Sequence, residues 1–249
     1  MTMKKTIQRF SFIFTLVLLS ALYLSFGNRK TFDSLNTVTL PGDSTTLVAV
    51  PLIYDSLHLE LAGLNREAFD FAKKGWDKLD REGKLANDSI LAIVDFSQSS
   101  TKKRLYVLDM RNYRVLFNTL VAHGRNSGQE WAESFSNSIS SFKSSPGFYI
   151  TGQTYNGSNG YSMKLTGLET GINDKAFERA IVMHGAGYVS EKFIGSRGYI
   201  GRSQGCPAVP VKDAKKIINT LKNGACLYIY TPQSDYLTQS QLLKDSIGV

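Results

Sequence analysis

Apolar residues fall at Leu64, Ala68, Phe71, Ala72, Trp76 and Leu79, a spacing of threes and fours that lines one face of a helix. Asn65 stands at the N-cap position and Glu67 in the first turn, where free amides and the helix dipole favour an acceptor and a negative charge. The spacing predicts an amphipathic helix, with Phe71 and Trp76 in the core. The period then changes. Runs rich in β-branched and aromatic residues follow: "SILAIVDF" (89–96), "RLYVLDM" (104–110), "RVLFNTLVA" (114–122), "GFYIT" (147–151), "YSMKL" (161–165), "AIVMH" (180–184) and "CLYIYT" (226–231). Bounded by Gly, Asn and Ser, they predict strands, and "DMRNYR" predicts a hairpin between two of them. A second helix is predicted over 211–222, with Ala214, Ile217, Ile218 and Leu221 on one face and Gly224 as its stop. Mostly sheet with a few helices implies an α+β domain, built as a β-sandwich or mixed sheet.

The ends of the chain read differently. Lys4, Lys5 and Arg9 precede an uncharged apolar run from Phe10 to Phe26, closed by Arg29 and Lys30, so residues 1–27 are expected to be a signal peptide or membrane anchor. The protein is then expected to be exported, either periplasmic or anchored to the outer side of the cytoplasmic membrane. Residues 28–49 lack periodicity and predict a tether; 50–87 predict a helical extension packed on a domain spanning 88–232; 233–249 predict a polar, loosely held tail. Charge follows the leader. Five of the 29 basic residues and none of the 21 acidic ones lie in residues 1–30, so the formal charge drops from +8 to +3 for the remainder, too little for a nucleic-acid footprint.

Two cysteines do not make a disulfide scaffold, and 42% hydrophobic residues build a core without staples. Cys206, in "GRSQGCPAVP", sits between a glycine and a proline. Gly205 permits a tight turn, the Gly205 and Cys206 amides can converge as an oxyanion hole, and Pro207 fixes the exit of the turn. Cys226, in an apolar strand, reads as an inert small hydrophobe. A cysteine nucleophile also needs a base. His58 lacks a catalytic context. His123 in "TLVAHG" and His184 in "AIVMHG" both end an apolar run at a sheet rim, and local chemistry does not choose between them. Scattered histidines and the absence of C-x-x-C give no metal cluster, and no organic cofactor is implied.

His184, eighteen intervening residues and then Ser203-Gln204-Gly205-Cys206-Pro207-Ala208, together with "SSPGFYITG" (144–152), resemble the murein L,D-transpeptidase catalytic domains of the YkuD-like fold, in a diverged branch with a GCPA ending. The resemblance covers about residues 88–231. It implies Cys206 as nucleophile, His184 as base, Gly205 with Cys206 as oxyanion donors, and the Gly185 carbonyl as orienter of the imidazole. Two positions depart from the family pattern: Gln204 replaces a second histidine, and Ala208 replaces Asn or Arg. Arg202 is then expected to hold a stem-peptide carboxylate, with Ser203, Gln204 and His123 as the other substrate-facing positions.

The implied reaction is acyl transfer on the L,D peptide bond of peptidoglycan stem peptides. An amine acceptor makes it a transpeptidase and water makes it a carboxypeptidase. Carbapenems are expected covalent inhibitors by the same resemblance. Two rivals stay open: a general cysteine peptidase, whose papain-type signature is absent, and a wall-binding module with a decayed motif.

Overall fold

The computed structural model describes residues 53–244; the leader and tether expected over 1–27 and 28–49, and the tail residues 245–249, lie outside the described residues. After a single helical turn at Ile53–Ser56, helix α1 (Arg66–Arg81) begins where the spacing placed it. Asn65 Oδ1 accepts from the amides of Glu67 (2.8 Å) and Ala68 (3.3 Å), capping the helix as expected. Its buried face is Ala68, Phe69, Ala72, Gly75 and Leu79. Phe71 and Trp76 are half-buried against the same cluster, so the deep aromatic is Phe69. At Gly75 a Cβ would lie 2.1 Å from Phe148 Cζ, which is why the helix carries a glycine there: the ring and the backbone meet directly.

Strands β1 (Ile90–Asp95), β2 (Leu105–Asp109), β3 (Arg114–Thr119), β4 (Gly147–Gly157), β5 (Gly160–Gly167), β6 (Val182–Ala186), β7 (Ala208–Pro210) and β8 (Cys226–Tyr230) form one sheet in the order β3-β2-β1-β8-β4-β5-β6-β7. Beyond the runs read from the sequence, the sheet gains the short β7, and β4–β5 extends into a long hairpin closed by a Gly157–Gly160 pair. Strand β3 ends at Thr119, yet the chain continues along the sheet: Ala122 bridges Ala208 and Gly124 bridges Ser203. The two edges of the order, β3 and β7, are thereby drawn together, and the sheet curls toward a barrel.

Both faces of the central strands are covered, so β1 and β8 are buried along their whole length and read as unbroken apolar runs. Leu91, Ile93, Tyr106, Leu108, Phe148, Cys226 and Tyr228 pack beneath α1. Their neighbours Ala92, Val94, Leu105, Val107, Tyr149, Leu227 and Ile229 form the opposite face with Ala214, Ile217, Ile218 and Leu221 of α3 (Val211–Leu221), which follows the seven-residue α2 (Glu191–Arg197). The alternation is the period of two that a strand imposes.

Residues 234–244 differ from the loose polar tail expected. Helix α4 (Ser234–Gln239) and the residues beyond it bury Tyr236, Leu242 and Leu243 in the α1-side cluster. Glu169 anchors them, accepting from Phe148 N–H (2.8 Å), Tyr236 Oη (3.4 Å) and Ser240 Oγ. Sparse apolar residues among polar ones concealed this docking. Among the described residues, no helix is long and apolar enough to cross a membrane.

Candidate active site

The Cys206 turn leads into β7, and it is clamped from both sides. Gly201 N–H donates to Tyr188 O (2.8 Å), Ser203 N–H to His123 O (2.9 Å), and Arg125 N–H to Ser203 O (2.8 Å). Inside the turn, Ser203 Oγ donates to Cys206 O (2.7 Å) and accepts from Gly205 N–H (3.0 Å). Gly205 has φ +118°, and a Cβ there would lie 2.7 Å from Lys143 O, so the position requires glycine. Ser203 is therefore the brace of the turn. This alters the expected oxyanion hole: the Gly205 amide is committed to Ser203, whereas the Cys206 amide lies beside its own thiol.

Cys206 is 9% exposed. Its thiol donates to Ala180 O (3.7 Å) and accepts from Val182 N–H (3.5 Å) at the start of β6. Two residues along the same strand and on the same face stands His184, whose backbone pairs with Ala208. His184 Nδ1–H donates to Gly185 O (3.1 Å), which leaves Nε2 as the acceptor, the tautomer a general base needs. Burial pushes the Cys206 thiol up, partly offset by Val182 N–H and the Arg179 guanidinium. Burial likewise holds the His184 imidazole below its ordinary range. Both effects favour neutral thiol beside neutral imidazole over a preformed ion pair.

Both residues line a cleft of ≈ 570 Å³. One wall is the turn itself, with Arg202, Ser203 and Gln204. Ile139 and Phe142, from the long connection between β3 and β4, and Ser158 and Asn159, at the tip of the β4–β5 hairpin, form others. Glu178, Arg179 and Tyr188 complete it. Arg202 Nη1 donates to Arg125 O (3.3 Å) and Gly128 O (3.0 Å). Among the described residues it has no carboxylate partner, and its Nη2 and Nε hydrogens stay available to a ligand. Gln204 is exposed at the rim.

His123 is not among the residues lining the cleft. It is buried, its Nδ1 accepts from Arg104 Nη2 (2.7 Å), and its Nε2–H donates to Gly128 O (3.3 Å). Burial, with the Arg104 charge, lowers its pKa to about 3, so this imidazole is a neutral strut. Cys226 is fully buried in β8 on the α1 side, and both cysteines are free; burial drives the Cys226 thiol far up.

Sequence reasoning missed Arg179 and Tyr188. Tyr188 packs on Gly201, where a Cβ would lie 2.4 Å from its own Cβ, and burial keeps its phenol protonated, pushed up to about 12. Arg179 had a weak signal: a basic residue at the mouth of the run that delivers His184. Among the described residues no three His, Cys, Asp or Glu side chains converge to hold a metal ion.

Residues 60–230 match the family model of the L,D-transpeptidase catalytic domain. Solved structures similar to the chain include an L,D-transpeptidase from Mycobacterium smegmatis (13% identity, 57% of this chain and 59% of that one, TM-score 0.36). Another is an LD transpeptidase in complex with imipenem (12%, 57% and 59%, 0.35). A third is an L,D-transpeptidase from Stackebrandtia nassauensis (14%, 81% and 86%, 0.36). The chain spans less than two thirds of the length of the first two. No curated protein matches it. The family match reaches from the residues before α1 to the end of β8 and takes in the Cys206 turn and His184, and on that ground the chain belongs to the L,D-transpeptidase catalytic domain family.

Proposed function

We propose that the protein is a cysteine-dependent L,D-transpeptidase acting on peptidoglycan stem peptides outside the cytoplasmic membrane, where residues 1–27 would deliver it. The observation that carries the reading is one cleft holding Cys206 on a braced turn and His184 with Nε2 unprotonated. In the proposed cycle His184 Nε2 takes the thiol proton as Sγ attacks the carbonyl of the L-centre that precedes the D-residue. The C–N bond breaks, the D-residue leaves with the proton from His184, and a thioester remains. An acceptor amine then attacks the thioester and gives its proton to His184, and the thiol leaves reprotonated. Water in place of the amine yields a carboxylic acid. The Cys206 amide and the Tyr188 hydroxyl are the donors we assign to the oxyanion, since Gly205 N–H is already engaged. The free edge of Arg202 takes a substrate carboxylate.

The test is to incubate the protein with purified tetrapeptide muropeptides and weigh the products. A dimer lacking one terminal D-residue indicates transpeptidation, and a trimmed tripeptide indicates hydrolysis. No product from a protein whose Cys206 alkylates normally would indicate a binding module, and cleavage of ordinary L,L peptides a general peptidase. A carbapenem offers the same thiol a strained lactam carbonyl, so imipenem is expected to leave one covalent adduct, absent from Cys206→Ala.

A further inference from the structure

Arg179 stands at the entry to β6, half-buried on the wall of the cleft. All four of its terminal N–H bonds are taken. Nη1 donates to Ser136 O (2.8 Å) and Ser145 Oγ (2.5 Å), and Nη2 to Lys143 O (2.6 Å) and Ser141 Oγ (3.3 Å). Every acceptor is neutral, and among the described residues the guanidinium has no carboxylate partner. It therefore has no fork left for a substrate carboxylate, in contrast to Arg202. What it retains is a positive charge that cannot swing away.

That charge lies at the nucleophile's turn. A Cβ built on Gly205 would be 3.3 Å from Arg179 Nη2, and the Cys206 thiol donates to the carbonyl of Ala180, the next residue after Arg179. We propose that Arg179 is a positioning residue for the reaction: a fixed cation, pinned by the loop over residues 136–145, that stabilises the Cys206 thiolate as His184 withdraws its proton. The proposal rests on Cys206 being the nucleophile. It also meets an energetic need. A thiol this buried resists ionisation, and a cation whose hydrogen bonds are already made spends no reorganisation when the negative charge appears. The other titratable groups on the cleft do not supply this. His184 and Tyr188 rest neutral, Arg202 sits at the carbonyls of Arg125 and Gly128, and Glu178 would act with the opposite sign. The loop walls contribute Ile139, Ser140 and Phe142, all uncharged; on the same loop Lys143 commits its ammonium to Ser134 Oγ (2.7 Å), and Arg125 lies over the ring of Phe142.

The experiment is the pH dependence of iodoacetamide alkylation, with the modified residue mapped by peptide mass spectrometry, in the wild type, Arg179→Gln and Arg179→Lys. An opposite charge nearby shifts an acid by about one to three pKa units, and half-exposure favours the low end. Arg179→Gln is thus expected to slow Cys206 alkylation about tenfold at pH 7.5, with a similar plateau rate at high pH, and Arg179→Lys to recover part of the loss. An unmoved pH midpoint in folded Arg179→Gln overturns the proposal, even if its melting temperature drops, because a merely structural arginine would show that pattern. If the Gln variant does not fold, Ser141→Ala/Ser145→Ala keeps the charge and removes two of its anchors. Its midpoint is expected to rise, and no rise overturns the proposal equally. Labelling at Cys226 in place of Cys206 would instead defeat the choice of nucleophile, so the two failures are distinguishable.

Discussion

Acidification should unfasten the strut beneath the Cys206 turn. His123 has a pKa of about 3 in the folded protein against an ordinary 6.5, because it is buried and then because Arg104 places a positive charge against it. The folded value is the lower one, so the neutral ring contributes stability that is complete above pH 6.5 and is lost as pH falls toward 3. A shift of that size corresponds to about 4 to 5 kcal/mol at full protonation and ~2 kcal/mol at pH 5. Glu169 works in the opposite sense. Burial raises its pKa, so its contribution grows on acidification, and total stability alone would mix the two. The His123→Gln variant separates them: a glutamine can accept from Arg104 and donate to Gly128 O but does not titrate. Urea denaturation at pH 7, 6 and 5, followed by far-UV circular dichroism, should find the variant less stable at pH 7 by about 1 kcal/mol for imperfect hydrogen bonds. At pH 5 the order should be reversed, the wild type having lost ~2 kcal/mol that the variant keeps. Parallel slopes for the two proteins would refute the reasoning, and His123 would have to titrate nearly as it does in the unfolded chain.

Other outcomes follow from the same geometry. Cys206→Ala should abolish turnover, whereas Cys226→Ala should leave it largely intact and cost about 1 to 2 kcal/mol in thermal or urea unfolding through lost packing. The acidic limb of kcat/KM should have its midpoint below 6.5, since burial lowers the His184 pKa, and the alkaline limb should lie above 9, since burial raises that of Cys206; a limb at the ordinary imidazole value would count against His184 as base. A charge-assisted contact contributes roughly 1.5 to 3 kcal/mol, so Arg202→Ala should raise KM for a tetrapeptide donor about 10- to 100-fold, and Arg202→Lys should restore only part. An unchanged KM would remove Arg202 from substrate binding.

The elements legible in the sequence are those whose burial follows a period. Helix α1 declared itself through its apolar spacing and Asn65, and the central strands through unbroken Val, Ile, Leu and Tyr runs. Strand β7 did not, because three residues ending in proline carry no period; it exists through pairing with β6 and the bridge to Ala122. The Cys206 turn was legible because its residues are local to one stretch, although Gly205 N–H, expected as an oxyanion donor, is engaged by Ser203 Oγ. Local chemistry did not separate His123 from His184; the resemblance pointed to His184, and the structure adds that Arg104 engages the His123 ring while His184 lines the cleft. Arg179 was missed because its partners lie 34 to 43 residues away in the chain.

The fold also explains why position 208 departs from the family pattern. Ala208 is fully buried, pairs with His184 on one side and Ala122 on the other, and packs in a small apolar cluster with Leu120, Ala186, Val189 and Ile200. It lies at the seam where the two sheet edges meet. An arginine there would carry a charge into a dry contact with no acceptor, a cost of several kcal/mol, and even asparagine would force the seam apart. If the proposed substrate carboxylate is to meet a cation, a sheet closed through alanine at this point has to supply it from elsewhere. Under the proposed function, the two guanidiniums of the cleft take different tasks: Arg202, with a free edge at the rim, meets a mobile carboxylate, and Arg179, with its terminal N–H bonds engaged, meets a charge that arises in place on Cys206.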